Sequence, residues 1–202
     1  MLSHPGRLIV LIQVVLIFLL PIFLLYYGLI SNESKFFLLA ASALIIYSIV
    51  RAEKWDHHDM GLRTDNIKSG WPYYAASALL LMVALFMFEY YFSINDVLTT
   101  RTIIHRLLFF IPMSVLQEFA FSVFLLQRLS ILLNKKSLVI LTSALVFAFM
   151  HIIYDVPPTV LLFSFFGSML SSMVYLYKPN FLLVCIGHSV VNVTAVMLGF
   201  FV

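Results

Sequence analysis

Apolar residues come in seven long runs along this chain, and the polar residues between them are few. The runs cover 8–30, 36–50, 73–92, 107–126, 137–153, 159–177 and 181–202. Most approach or exceed the roughly 20 residues that carry an α-helix across a bilayer. The run at 36–50 is short by itself and is expected to extend at its ends. Pro21 predicts a kink in the first run, of a kind that neighbouring helices tolerate. Residues 51–70 form the longest polar stretch, with Trp55-Asp56-His57-His58-Asp59 and Gly61-Leu62-Arg63; 93–106 and 127–136 read as further loops. Asp155-Val156-Pro157-Pro158 reads as a break, and Trp71-Pro72 with Tyr90-Tyr91 bounds the third run as an interfacial belt. With no repeat and no low-complexity linker, the pattern predicts an all-α, polytopic membrane bundle of about seven helices, a single transmembrane domain over 1–202.

Composition agrees. Hydrophobic residues make up 63% and charged residues 10%, with a mean hydropathy of +1.06; a soluble domain runs nearer about half apolar and a quarter charged. The net charge of +3 does not point to a nucleic-acid partner, because the basic residues lie in short loops and not on one soluble face. Cys185 stands alone, so no internal disulfide is possible. The first run is too long for a signal-peptide core and has no small-residue cleavage site after it, so it reads as a retained anchor. Arg7, Arg51, Lys54, Arg63, Lys68, Arg128, Lys135, Lys136 and Lys178 fall on one side of a seven-span chain, and Lys35, Arg101 and Arg106 on the other. The positive-inside rule then gives a cytoplasmic amino terminus, in the plasma membrane of a prokaryote.

Three runs carry expensive polar side chains. Gln117 and Glu118 sit near the middle of the fourth, His151 ends the fifth, and His188 and Asn192 lie in the seventh. A charge at bilayer depth costs at least about 2.5–3.5 kcal/mol on the insertion scale. An interhelical hydrogen bond in a membrane returns on average only about 0.6 kcal/mol, so mutual satisfaction explains the set poorly. One shared site around a water-sized hollow is expected. Glu118 shares a helix face with Ser114 and Ser122, Gln117 points a third of a turn aside, and His188 and Asn192 face the same way. Glu118 can act as general base, with an imidazole orienting it or sharing the proton. A second histidine and the Asn192 amide can supply donors to a developing oxyanion. Together these can hydrolyse an amide in a cavity that admits water. Glu118, His151 and His188 would also suit zinc, although a metal-free glutamate mechanism is the preferred reading.

Other polar features read more blandly. Glu89 can snorkel at its span end, His57-His58 with Asp56 and Asp59 forms a solvated loop in preference to a metal site, and His105 is expected in a loop. Ser164, Gly167, Ser168, Ser171 and Ser172 form a small-residue stripe whose expected use is close helix packing and not a hydroxyl-lined pore. A proton-conducting transporter is disfavoured, because its polar residues would be spread along a path. Counting about 1.5 Å per residue from the span ends, Glu118 falls near mid-bilayer, His151 outward and His188 inward, on the order of 10 Å apart in depth.

The sequence also carries a family pattern. Gln117-Glu118-x-x-Phe121-Ser122, Phe147-x-x-x-His151 and His188-x-x-x-Asn192 resemble, in order, the three motifs E-E-x-x-x-R, F-x-x-x-H and H-x-x-x-N/D. These belong to the CAAX protease and bacteriocin-processing family of intramembrane proteases (CPBP, or Abi), often called metalloproteases. Phe124-Leu125-Leu126, Gly167 and Gly61-Leu62-Arg63 add to the likeness, which runs from about Gly61 to the carboxyl terminus. The resemblance implies that the first glutamate and His151 activate water while His188 and Asn192 form the oxyanion hole. Here the first glutamate's position is Gln117, and the arginine's is Ser122. Two functions follow. Glu118 takes over as base, with Gln117 holding substrate or water, in an endopeptidase acting on a prenylated, leader-peptide or other membrane-associated protein. Alternatively the chain is a degenerate homologue that binds a hydrophobic peptide or membrane partner without cutting it.

Overall fold

A computed structural model describes residues 5–92, 100–153 and 158–200. All regular structure among the described residues is helical. Six helices are long and apolar enough to cross a membrane. They are α1 (Arg7–Tyr26), α2 (Asn32–Ala52), α3 (Ile67–Phe92), α4, α5 (Lys136–Ile153) and α6 (Pro158–Tyr177). α4 starts as Thr100–Glu118, widens into a π-helical stretch over Phe119–Leu125, and ends as Leu126–Leu132. The seventh, α7 (Phe181–Met197), is apolar and 17 residues long. The chain is therefore an integral membrane protein.

The helices outrun their apolar segments. α3 begins at Ile67 and carries Pro72 inside it, and α4 is already helical at Thr100 although 93–106 reads as a loop. The expected loop residues 93–99 and the Asp155–Pro157 part of the break lie outside the described residues. Hydropathy reports where lipid can touch the chain. A helix continues past that limit because its backbone bonds are satisfied in either medium. In α1 a π-helical turn, Val15–Leu19, directly precedes Pro21. The proline has no N–H to give and its ring crowds the carbonyl four residues earlier, which opens the turn.

α4 is the central helix. Half of its apolar window is buried, against 17–33% for the other five long helices. Val123, Phe124, Leu125 and Leu126 are sealed in a core that also takes Phe18 of α1, Ile46 and Val50 of α2, and Phe147 of α5. α7 packs along α4 and α3, and α5 along α6.

The loop after α2 fastens the neighbouring ends of α3, α6 and α7. Gly61 has φ +71°, and its carbonyl accepts from the Phe181 amide at 2.8 Å. Asn180, fully buried, caps α7 through the Leu183 amide and donates to the Arg63 carbonyl and to Asn66 Oδ1. In the same loop the Asp56 carboxylate accepts from the Asp59 amide at 2.7 Å, and the Asp59 carboxylate from the Asp56 amide at 3.0 Å. The Asp59 amide holds the Asp56 carboxyl below its ordinary range.

Candidate active site

Glu118 is the last residue of the regular part of α4, and the π-helical stretch begins immediately after it. Such widened turns cost hydrogen-bond geometry and recur at functional sites. Ser114, Gln117, Glu118 and Ser122 are all buried, so the helix turns both its serine-flanked glutamate and the adjacent glutamine inward.

Both oxygens of Glu118 are engaged. The Ser122 hydroxyl donates to Oε2, and Nδ1 of His188 lies 2.6 Å from Oε1. Ser122 thus supplies one neutral donor at the position where the family motif has an arginine. The imidazole on the glutamate belongs to α7. The depth separation expected between Glu118 and His188 does not exist: helices that end at different heights share no common origin for counting.

Asn192, one turn along α7 from His188, donates through Nδ2 to Ser114 Oγ at 2.9 Å, and Ser114 donates on to the Phe110 carbonyl at 2.8 Å. α7 is therefore pinned to α4 at two successive turns. His151 opens a short 3-10 turn at the end of α5, with Nδ1 at 2.9 Å from the Phe147 carbonyl. A carbonyl only accepts, so Nδ1 carries the hydrogen in that bond and, in the neutral ring, Nε2 carries the lone pair. Phe147 touches both imidazoles, its ring centroid 5.0 Å from that of His151 and 5.9 Å from that of His188.

Gln117, Glu118, His151, His188 and Asn192 line one cavity of about 420 Å³, much larger than the water-sized hollow expected. Gln117 also faces a second hollow of about 60 Å³ against α1 and α2. The serine stripe of α6 departs from expectation. Ser164, Gly167, Ser168, Ser171 and Ser172 line the cavity opposite a packing role; small residues suit a void's wall as well as a helix seam. Nothing in the residue types separates those two uses, so α6 was not recognisable as part of the site.

The donor set fits a metal poorly. No group of three or more His, Cys, Asp or Glu able to hold an ion occurs among the described residues. Glu118 and His188 bond to each other where two ligands would each point at the ion, and His151 turns Nδ1 to its own helix. The His57-His58 loop likewise forms no such group.

Residues 99–194 match the family model described as type II CAAX prenyl endopeptidase Rce1-like. The match contains all three motifs and begins beyond Gly61-Leu62-Arg63. No curated protein and no solved structure matches the chain. Over residues 99–194, a little under half of its length, the chain is similar to the Rce1-like CAAX proteases, consistent with the family resemblance that the three motifs carry.

Proposed function

We propose that this chain is an intramembrane endopeptidase in which the Glu118–His188 pair activates water against a peptide bond of a membrane-associated substrate. The observation that carries the reading is the 2.6 Å contact between these side chains, from two helices, opening on a cavity of about 420 Å³ that His151 and Asn192 also line. A carboxylate has about four lone-pair sites, and two are taken by Ser122 and His188, so Glu118 keeps room to accept from a water. His151 Nε2 holds the same water from α5. The water oxygen adds to the scissile carbonyl carbon as its proton passes to Glu118, and the carbonyl electron pair moves onto oxygen. The Asn192 amide, steadied by Ser114, meets that oxyanion; His188 adds Nε2–H when its ring carries both protons. The proton then passes to the departing nitrogen as the C–N bond breaks, leaving a carboxylic acid and an amine. Gln117 cannot be a base, and its amide grips the substrate. No step runs through a metal. The amino terminus is cytoplasmic, in a prokaryotic plasma membrane.

The test is cleavage of a fluorogenic, farnesylated C-a-a-X peptide by purified protein. Glu118→Gln and His151→Ala each lower turnover by about 10²-fold or more, the range of a positioned acid–base group. Full activity in both variants removes the assignment. The second reading, binding without cleavage, is favoured by Gln117 and Ser122 in the first motif. It predicts an inert parent that gains activity from Gln117→Glu combined with Ser122→Arg.

A further inference from the structure

The serines of the α6 wall do not spend their hydroxyls on their own helix. Several helical hydroxyls elsewhere fold back on the carbonyl four residues earlier: Ser48 on Leu44, Ser130 on Leu126 and Thr194 on Val190, at 2.9, 2.7 and 2.9 Å. That is the usual way such a group is satisfied inside an apolar medium. Ser164, Ser168, Ser171 and Ser172 face the cavity instead and make no hydrogen bond among the described residues. Ser168 is 9% exposed and Ser172 3%. Gln117 is 5% exposed, lines the same cavity, and its amide is equally without a partner among the described residues. None of these polar atoms is sealed from the cavity as Ser143 Oγ is from its surroundings, so they stay open to whatever enters it. Nor is Gly167 at a close backbone seam: a Cβ there would find its nearest neighbour, Leu81, at an ordinary 3.8 Å.

The spacing identifies the ligand. Ser164, Ser168 and Ser172 lie on successive turns of one face, about 6 Å apart along the axis. An extended peptide repeats its main-chain groups on one side every two residues, about 6.4–6.8 Å. Over so short a stretch the two ladders stay in step. A hydroxyl both donates and accepts, so it can meet a peptide N–H or C=O, whereas an alkyl chain would leave all of these groups unpaired. We propose that Ser168 and Ser172, with Gln117 from α4, bind the main chain of an extended peptide laid along α6. This rests on the peptidase reading and adds the surface that presents the bond to Glu118.

The experiment is steady-state cleavage of the same farnesylated peptide by the full chain carrying Ser168→Ala and Ser172→Ala. Two neutral hydrogen bonds predict a KM raised about tenfold with kcat within about twofold. Ser168→Thr with Ser172→Thr, which keep the hydroxyls, retain the parent KM. Replacing the contacted peptide amide by an ester raises KM for the parent and adds nothing for the double alanine variant. An unchanged KM with a lowered kcat overturns the proposal and marks a wall that only orders water. Additive losses overturn it too. If the parent cuts the peptide and the alanine variant matches it, this inference alone fails; if the parent neither binds nor cuts it, the peptidase reading fails as well.

Discussion

α4 carries two polar clusters, and they are built for opposite ends. Around Glu118 the partners are Ser122 and His188, and beyond them is open space. Around Arg128, one stretch further along, there is none. Its guanidinium bonds Glu53 at 2.7 Å and lies over the rings of Phe124 and Trp55, at 4.5 and 5.3 Å, while Trp55 donates to the same Glu53 oxygen at 3.0 Å. Arg128 is 1% exposed and is the largest fully sealed side chain. Rings and an ion pair enclose one charge; the other opens onto a cavity. Burial alone therefore says little about chemistry, and what adjoins the buried group says more.

The two clusters should respond in opposite ways to loss of their partners. The largest effect is expected at the open one: His188→Gln lowers turnover by about 10²–10⁴-fold, while the thermal midpoint in detergent moves by only a few degrees. Arg128→Met reverses the pattern. Removing one partner of a buried pair costs about 3–5 kcal/mol, and toward the lower figure here because Glu53 keeps some solvent. Stability drops accordingly, and turnover per folded molecule stays within about twofold. A catalytic loss from Arg128→Met without a drop in stability would make the closed cluster part of the machinery and erase the distinction.

The two clusters also differ in how far the sequence reveals them. Glu118, His151, His188 and Asn192 are conspicuous because each is expensive at lipid depth, and the three motifs put them in order. Arg128 sits at the edge of an apolar run and reads as a loop cation; its partner Glu53 is 75 positions away, with no periodicity linking them. The spans were legible from hydropathy, but their ends were not: Thr100, Arg101, Thr102, His105 and Arg106 are polar and helical. The π-helical stretch after Glu118 leaves no mark on residue types. Nor does the face of α6, where serine and glycine would serve a seam or a void equally.

Gly61 links the two clusters, since the loop that supplies Glu53 to the closed one also holds α7, which brings His188 to the open one. At φ +71° an L-residue pays about 1–2 kcal/mol, and a Cβ there would collide with the Tyr175 hydroxyl and press on the Phe181 amide. Gly61→Ala therefore destabilises by about 2 kcal/mol or more. Because Phe181 opens α7, it also lowers turnover of the molecules that remain folded, which Arg128→Met does not.

The smallest effect belongs to Gly167. A glycine in mid-helix costs about 0.5–1 kcal/mol relative to alanine, and here the added methyl meets only Leu81 at an ordinary distance. Gly167→Ala is thus neutral or slightly stabilising, by up to about 1 kcal/mol, as read from thermal unfolding in detergent. Were the stripe a close seam, the same methyl would force two helices apart, and the sign would reverse. A marked loss of stability from this one substitution would return α6 to a packing role and close the open side of the site. An unchanged or raised midpoint keeps that side facing the cavity, where its hydroxyls have only an incoming chain or water to meet.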